Sequence, residues 1–215
     1  MNILGIVVSY VYIFCIILTA KLVEKKGVEA SRKYIHIMLA NWWFIFLFFF
    51  DNVFFASFVP ATFVVINYIS YKKDLIKVME RSEGEKDGLG TVYYAVSLLV
   101  LSIATYVFHL SPMVGLCGIL IMGYGDGLAG VIGRKIKSKE YHIGGGKKTI
   151  AGSITMFCIS LAISAVLFFI VGTPIWYGKA ILLAAPITIV EAAGVKGTDN
   201  LTVPLLAALL FGLMI

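Results

Sequence analysis

Two acidic residues lie inside long apolar stretches of the sequence, where an ionisable side chain is costly. Asp126 follows Pro112 by 14 residues, and Glu191 follows Lys179 by 12. At about 1.5 Å per helical residue, these separations correspond to about 21 Å and about 18 Å, so both carboxylates are expected at similar depth in a membrane. Charged groups within hydrocarbon usually face a cavity or a partner, so both are candidate catalytic or metal-binding residues.

A histidine and two cations share one helix face where another apolar stretch begins. His36 follows Arg32 by four residues and Lys33 by three, spacings that bring side chains together on a helix. A single histidine at a helix end is commonly a satisfied interfacial residue. The neighbouring cations give equal weight to a second interpretation, in which the three side chains contact phosphate and His36 takes part in catalysis.

The segment GYGDGLAGVIG surrounds Asp126 with five glycines. Glycines at this spacing are typical of a surface on which membrane helices pack. Packing alone does not require a carboxylate among them. We therefore favour a backbone that opens beside Asp126 to admit a cation or a metal-bound phosphate.

A basic, glycine-rich loop, RKIKSKEYHIGGGKKTIAGS, runs from Arg134 to Ser153. Its three consecutive glycines let the backbone approach a ligand, Lys147 and Lys148 supply positive charge, and Thr149 offers a hydroxyl near a helix N-terminus. These features predict a cradle for a polyphosphate, although a solvated basic loop would also account for the lysines. The GxxxxGKS or GxxxxGKT pattern of a P-loop is absent, which argues against a Walker-type NTPase.

The elements that position these residues are membrane helices. The chain has 215 residues, of which 60% are hydrophobic and 14% charged, and its mean hydropathy is +0.95. A helix needs roughly 20 apolar residues to cross a bilayer core. The predicted fold is an all-α, polytopic transmembrane bundle of about eight spans in a single domain, residues 1–215. The spans cover residues 3–22, 34–50, 53–71, 91–110, 112–132, 150–171, 179–194 and 200–215.

The distribution of basic residues predicts how the bundle is oriented. With the amino terminus outside, all but one of the 18 Lys and Arg residues fall in inward loops, the exception being Lys179. The positive-inside rule therefore places both termini outside and the candidate site on the cytoplasmic face of the cell (inner) membrane. The net charge of +6 is explained by loops beside anionic membrane lipids, so no nucleic-acid partner is expected.

Two further expectations concern local structure. Residues 72–83, KKDLIKVMERSE, are typical of an amphipathic surface helix. Cys15, Cys117 and Cys158 lie in different apolar stretches and are interpreted as buried thiols without a disulfide.

Five segments occur in a characteristic order between residues 32 and 204. They are RKYIHI, GTVYY, GDGLAGVIGRK, KKTIAGS, and a last segment in which Glu191 is followed, after seven intervening residues, by Asp199-Asn200 and then by Pro204. Together they resemble the family of dolichol kinases, phytol kinases and CTP-dependent diacylglycerol kinases. The resemblance implies an enzyme that phosphorylates the hydroxyl of a membrane lipid alcohol, with CTP or another nucleoside triphosphate as donor. The shortness of the chain favours an acceptor the size of phytol, farnesol or diacylglycerol.

The resemblance also implies roles for residues at matching positions. Asp126, Glu191 and Asp199 are expected to hold Mg²⁺, and either Asp199 or Asp126 to act as the base. Arg32, Lys33 and His36 occupy the first basic motif. The remaining matches are expected to bind the nucleotide phosphates: Lys147, Lys148, Thr149, Gly152 and Asn200.

Two other functions fit the same residues. A cytidylyltransferase that forms a CDP-lipid would also use Mg²⁺, CTP and an inward-facing membrane site. A small ion-coupled transporter would use Asp126, Glu191 and His36 as an ion or proton path. The polar groups cluster toward one side of the membrane and not at its midplane, which argues against the transporter.

Overall fold

The structure, a computed structural model, describes residues 1–25, 27–73, 89–143 and 146–215. These residues form a predominantly helical bundle with one short hairpin, so the predicted all-α polytopic fold is confirmed. Most of the predicted amphipathic helix over 72–83 and two glycines of the triple-glycine segment, 144 and 145, lie outside the described residues.

The described residues form ten α-helices. They are α1 (Asn2–Glu24), α2 (Val28–Ala40), α3 (Trp42–Phe49), α4 (Val53–Lys73), α5 (Gly90–Val107), α6 (Pro112–Leu120), α7 (Gly127–Lys135), α8 (Ile150–Ile170), α9 (Trp176–Ala193) and α10 (Asp199–Met214). A π-helical segment, Ile121–Asp126, joins α6 to α7. Two strands, β1 (Glu140–Ile143) and β2 (Gly146–Thr149), precede α8.

Six passages in the described part of the chain are long and apolar enough to cross a membrane. They are α1, α4, α5, the continuous stretch from α6 to α7, α8 and α9. The last predicted span corresponds to α10, which is apolar but has only 16 residues. The second predicted span, 34–50, begins earlier, at Val28, and is divided at Asn41 into two short helices.

The side chain of Asn41 makes one local and one tertiary hydrogen bond at the break. Its side-chain amide donates to the carbonyl of Met38 at 3.3 Å, and its Oδ1 accepts from the Tyr124 hydroxyl at 3.0 Å. Asparagine side chains that bond nearby carbonyls compete with regular helix hydrogen bonds. The side chains of Trp42 and Trp43, which follow the break, are almost completely buried.

An aromatic cluster forms much of the core beside this break. The Trp43 and Phe46 rings stack with centroids 4.3 Å apart. The indole N–H of Trp42 donates to Ser9 Oγ at 2.9 Å, and that of Trp43 to the Pro112 carbonyl at 3.1 Å. Both buried indole donors are therefore satisfied, as a low-dielectric interior requires.

Contacts at one end of the bundle bring its turns together. Asn2 Nδ2 donates to Asp51 Oδ1 at 2.7 Å, and Lys179 Nζ donates to the carbonyl of Met214 at 2.5 Å. Both termini lie at this end, because the chain runs back and forth through the bundle. The charged side chains described below lie at the other end, which we call the site end.

The glycines around Asp126 serve helix packing. A Cβ at Gly125 would lie 2.7 Å from Met156 Sδ, and one at Gly130 would lie 2.7 Å from Lys33 Cε. Both distances are too short, so neighbouring side chains occupy the space that these glycines leave. The backbone does not open here as expected; it remains helical and widens into the π-helical turn that ends at Asp126. Such turns occur frequently at functional sites.

The predicted phosphate loop contains an antiparallel β-hairpin. Tyr141 pairs with Lys148, and His142 pairs with Lys147. Because successive side chains on a strand point to opposite faces, the two lysines point in opposite directions.

The three cysteines are free. Cys117 is buried as expected, whereas Cys15 and Cys158 are exposed on the outer surfaces of α1 and α8. The outer surface of a membrane helix is as apolar as the interior of the bundle, so the hydrophobicity of a segment does not show which of its residues are buried.

Candidate active site

Three carboxylates from distant parts of the chain meet at the site end. Asp126 ends the π-helical segment, Glu191 lies in the last turn of α9, and Asp199 begins α10. One oxygen from each carboxylate lies within 4.8 Å of the others. Asp126 and Glu191, predicted to reach similar depth, do come together. Oxygen ligands at this spacing are suited to a hard divalent cation such as Mg²⁺.

Asp126 is held by two side chains of α2. Lys33 Nζ donates to its Oδ2 at 2.9 Å, and His36 Nε2 lies 3.3 Å from the same oxygen. The absence of a side chain at Gly130 leaves room for Lys33 to reach it. The Lys33 and Asp126 side chains are each only 12% exposed. Removing either partner would leave the other as a poorly solvated charge, so the pair is strongly interdependent.

His36 is fixed by contacts on two sides. Its Nε2 lies 3.2 Å from the carbonyl of Met122, as well as beside Asp126. Both neighbours are hydrogen-bond acceptors, so Nε2 carries a proton. The Tyr94 hydroxyl donates to the His36 carbonyl at 3.0 Å, and the two rings meet edge to face with centroids 4.9 Å apart. His36 is therefore part of the carboxylate site and not an isolated interfacial residue.

Lys148 links the other two carboxylates. Its ammonium group bonds to Glu191 and lies 3.8 Å from Asp199 Oδ2. Burial alone would lower the pKa of Lys148, but the carboxylates of Glu191, Asp199 and Asp126 outweigh it and raise the pKa above its usual value. Lys148 therefore stays positively charged.

Lys147 occupies a different environment from its neighbour. It forms an ion pair with Glu140 at 2.8 Å across the hairpin, and its side chain is 59% exposed, compared with 21% for Lys148. Although both were predicted to bind phosphate, only Lys148 reaches the carboxylates.

Thr149 and Gly152 shape the entry into α8. Thr149 Oγ1 accepts a hydrogen bond from the Gly152 amide at 3.1 Å, which caps the helix. A Cβ at Gly152 would lie 3.2 Å from the Ala129 carbonyl, so α7 packs closely here. Both residues line the cavity, and in this structure they hold the hairpin in place.

Arg32 belongs to a cluster at the mouth of the site. Its guanidinium donates twice to Glu29, at 2.8 Å each, and Arg134 approaches the same carboxylate at 2.7 Å. Burial would raise the pKa of Glu29, but hydrogen bonds and charge from the two arginines lower it to about 2. Glu29 was not among the predicted site residues, although its position three residues before Arg32 was a signal that could have revealed it.

Asn200 fastens α10 to α5. Its side-chain amide donates to the Gly90 carbonyl at 3.0 Å, and its backbone carbonyl accepts from the Ser97 hydroxyl at 2.6 Å. Gly197, with φ of +80°, would place a Cβ 2.5 Å from the Gly90 Cα, so only a glycine fits at this crossing. Asn200 Oδ1 is buried and has no hydrogen-bond partner among the described residues. Asn200 also lines the cavity.

One cavity of about 970 Å³ contains these groups. The three carboxylates, Lys33, His36 and Lys148 line its polar part. Apolar side chains from α1, α3, α4 and α5 line the remainder, so one space joins a charged site to a hydrophobic one. This combination suits a substrate with a polar head and a hydrocarbon chain.

Comparisons with known proteins identify the family. The phytol kinase of Synechocystis sp. is 29% identical, covering 93% of this chain and 86% of its own. A probable chloroplastic phytol kinase of Triticum aestivum is 30% identical, covering 89% of this chain and 71% of its own. The chain belongs to the phytol kinase family. It is thus a membrane kinase whose acceptor is an alcohol group, as the order of its motifs indicated.

Another member of the phytol kinase family, probable phytol kinase 1 of Oryza sativa subsp. japonica, is 33% identical. The match covers 85% of this chain and 64% of the rice protein. No protein-family model matches the chain, and no solved structure matches it.

Proposed function

We propose that the chain transfers the γ-phosphoryl group of CTP to an isoprenoid alcohol of the phytol or farnesol type at the cytoplasmic leaflet. The observation that carries this proposal is the cavity in which three carboxylates and two lysines adjoin an apolar space. Relatives named as phytol kinases favour an isoprenoid alcohol over diacylglycerol. The basic loops at the site end favour the cytoplasmic side.

Mg²⁺ fits the acidic part of the site. Asp126, Glu191 and Asp199 would hold it, because three carboxylate oxygens this close together need a counter-charge greater than the two lysines supply. When bound, the ion supplies neutralisation of the charge on the transferring phosphate oxygens.

The side chains of this protein divide the remaining tasks. Lys148 and Lys33 are close enough to the carboxylates to contact a phosphate held beside them, and Arg32 lies at the mouth. Asp126 already accepts from Lys33 and lies beside His36, whereas among the described residues Asp199 Oδ2 has its ion-pair partner, Lys148, as far away as 3.8 Å. Asp199 is therefore the better proton acceptor of the two candidates.

The reaction follows from this arrangement. The alcohol oxygen attacks the γ-phosphorus and gives its proton to Asp199. A bond forms between that oxygen and phosphorus, and the bond from phosphorus to the bridging oxygen of CDP breaks. The products are a lipid monophosphate and CDP, and alignment of the two oxygens supplies much of the rate enhancement.

Product analysis tests the proposal. Purified protein is incubated with phytol, farnesol or diacylglycerol and with CTP or ATP labelled in the base or the γ-phosphate. Transfer of γ-label from CTP to phytol or farnesol, with release of CDP, is expected. A parallel incubation supplies the lipid monophosphate in place of the alcohol; release of pyrophosphate with formation of a CDP-lipid there would instead indicate a cytidylyltransferase. Ion flux in proteoliposomes without nucleotide would indicate a transporter.

A further inference from the structure

The cavity continues from the carboxylates into the interior of the bundle. Its inner part is lined by apolar side chains from α1, α3, α4 and α5. The main ones are Ile13, Ile16, Trp42, Val59, Phe63 and Leu98. A hydrocarbon chain gains little hydrophobic free energy by moving from lipid into an apolar cavity, because the lipid is equally apolar. The branch is therefore stabilised mainly by van der Waals contacts with an occupant that fills it.

Helix rise gives the depth of this branch. Trp42 lies nine residues beyond Lys33 along α2 and α3, and Leu98 lies eight residues beyond Gly90 along α5, which correspond to about 13 Å and about 12 Å. Trp42 and Leu98 are the deepest residues that these two helical passages contribute to the lining, and they lie at about the same depth from the site end. On α4, Val59 lies 12 residues before Tyr71, which also lines the cavity, so it lies deeper, at about 18 Å by the same rise. Trp42 and Val59 are 1% and 2% exposed and help to close the branch.

The side of the branch between α1 and α4 is sealed by a specific contact. Tyr10 and Thr62 share a hydrogen bond of 2.7 Å between their hydroxyls, and the Tyr10 ring lies beside that of Phe63 with centroids 6.0 Å apart. The branch is consequently a pocket with a bottom and a wall, and its polar mouth is the carboxylate site.

We propose that this branch holds the hydrocarbon chain of the acceptor alcohol and that Val59, Trp42 and Leu98 set the chain length accepted. The inference rests on the proposed function, because it assumes an alcohol acceptor. With the chain inserted, the hydroxyl at its end lies among Asp126, Asp199 and Lys148. A chain too long for the branch leaves its hydroxyl short of this group, and a chain too short fills the branch incompletely.

Substitutions at Val59 test the inference because they change the bottom of the branch without touching the carboxylates. Val59→Phe shortens it and Val59→Ala deepens it. Val65→Phe is the matched control, since Val65 lies on the same helix but is 58% exposed on its outer surface. Each variant is assayed for kcat/KM with geraniol, farnesol, geranylgeraniol and phytol, and its unfolding temperature is measured in detergent.

Val59→Phe is expected to lower kcat/KM for phytol relative to geraniol by roughly 10-fold or more, since one methylene in an apolar pocket is worth roughly 10–200-fold in discrimination. Val59→Ala should shift the preference toward the longer alcohols, and Val65→Phe should leave the ratio unchanged. If Val59→Phe unfolds, Val59→Ala alone decides. Ratios equal to wild type in an active protein would overturn the inference, whereas a wild-type protein inactive on every alcohol would overturn the proposed function instead.

Discussion

The two adjacent lysines of β2 illustrate how the site is built at the scale of single residues. Sequence alone gave Lys147 and Lys148 the same expected role, because both follow the glycines and precede Thr149. The hairpin turns them to opposite sides, so Lys148 meets Glu191 while Lys147 meets Glu140. Strand pairing is not visible in a short loop sequence, and this distinction could not be predicted.

Replacing each lysine by methionine tests the distinction. Lys148→Met should lower kcat/KM by about 10²–10³-fold, the range for loss of one group that stabilises transition-state charge. Lys147→Met should stay within about fivefold of wild type, since exposed ion pairs contribute 0.2–1 kcal/mol. Equal losses in the two variants, measured by γ-label transfer, would contradict the separate roles.

Other residues of the site were predictable. The depth of Asp126 and Glu191 in their apolar stretches and the spacing of Lys33 and His36 identified four side chains that the structure brings into one cavity. Arg134 and Tyr94 were missed because their partners, Glu29 and His36, lie far away in sequence, whereas Glu29 could have been found from its spacing to Arg32.

At the scale of elements, a cluster of charges joins α2 to α7. Glu29 accepts from Arg32 on its own helix and from Arg134 at the end of α7. Since the arginines lower the pKa of Glu29 from 4.5 to about 2, the ionised carboxylate stabilises the folded state. That contribution is fully present above pH 4.5 and is lost as the pH falls toward 2.

In the variant Glu29→Gln this pH-dependent stabilisation is absent, because glutamine does not ionise. Its unfolding temperature in detergent should therefore lie below that of wild type above pH 4.5, with the difference shrinking as the pH falls toward 2. Thermal unfolding followed by circular dichroism over this range measures the effect. A difference that stays constant with pH would show that the Glu29 charge does not link the helices.

The packing of α7 on α2 gives a second prediction about elements. Gly130→Ala would place a Cβ 2.7 Å from Lys33 Cε and displace the side chain that holds Asp126. Activity should fall at least about tenfold, an amount that corresponds to 1.4 kcal/mol. Gly212→Ala is the control, because its Cβ would lie 3.5 Å from Val114, an ordinary contact. Similar activity in both variants would contradict a role of this packing in the site.

Hydrophobic stretches predicted nearly all of the helices, because crossing a membrane demands long apolar segments. They did not predict the break at Asn41 or the π-helical turn before Asp126. Both depend on tertiary contacts: Asn41 bonds Tyr124 from another passage, and the glycines near Asp126 fit against α2 and α8.

At the scale of the whole molecule, the loops are divided between two ends. One end carries the turns and helix starts that contain Asp51, Gly172 and Lys179. The hairpin and the turn before Asp199 lie together at the other end. The site combines residues from Lys33 to Asp199, so the hairpin and the turn before Asp199 must lie on the same side of the membrane.

Cysteine labelling tests this arrangement in cells. In a chain with its own cysteines replaced by serine, Lys139→Cys and Lys196→Cys should react with an impermeant thiol reagent only after the membrane is opened. Asn52→Cys and Pro174→Cys, the second at an exposed position of its turn, should react in intact cells. Labelling of Lys139→Cys and Lys196→Cys from opposite sides would contradict the assembled site.

Transfer of γ-label from CTP to phytol by wild type and by Asp126→Asn tests the central claim most directly, namely that the carboxylate cluster performs phosphoryl transfer. Asp126 is decisive because it joins the Lys33 and His36 contacts to the other two carboxylates. Wild type should form labelled phytyl phosphate, and the variant, folded by size-exclusion chromatography, should form it about 10²-fold more slowly or worse. A folded Asp126→Asn protein with the wild-type rate would contradict the account.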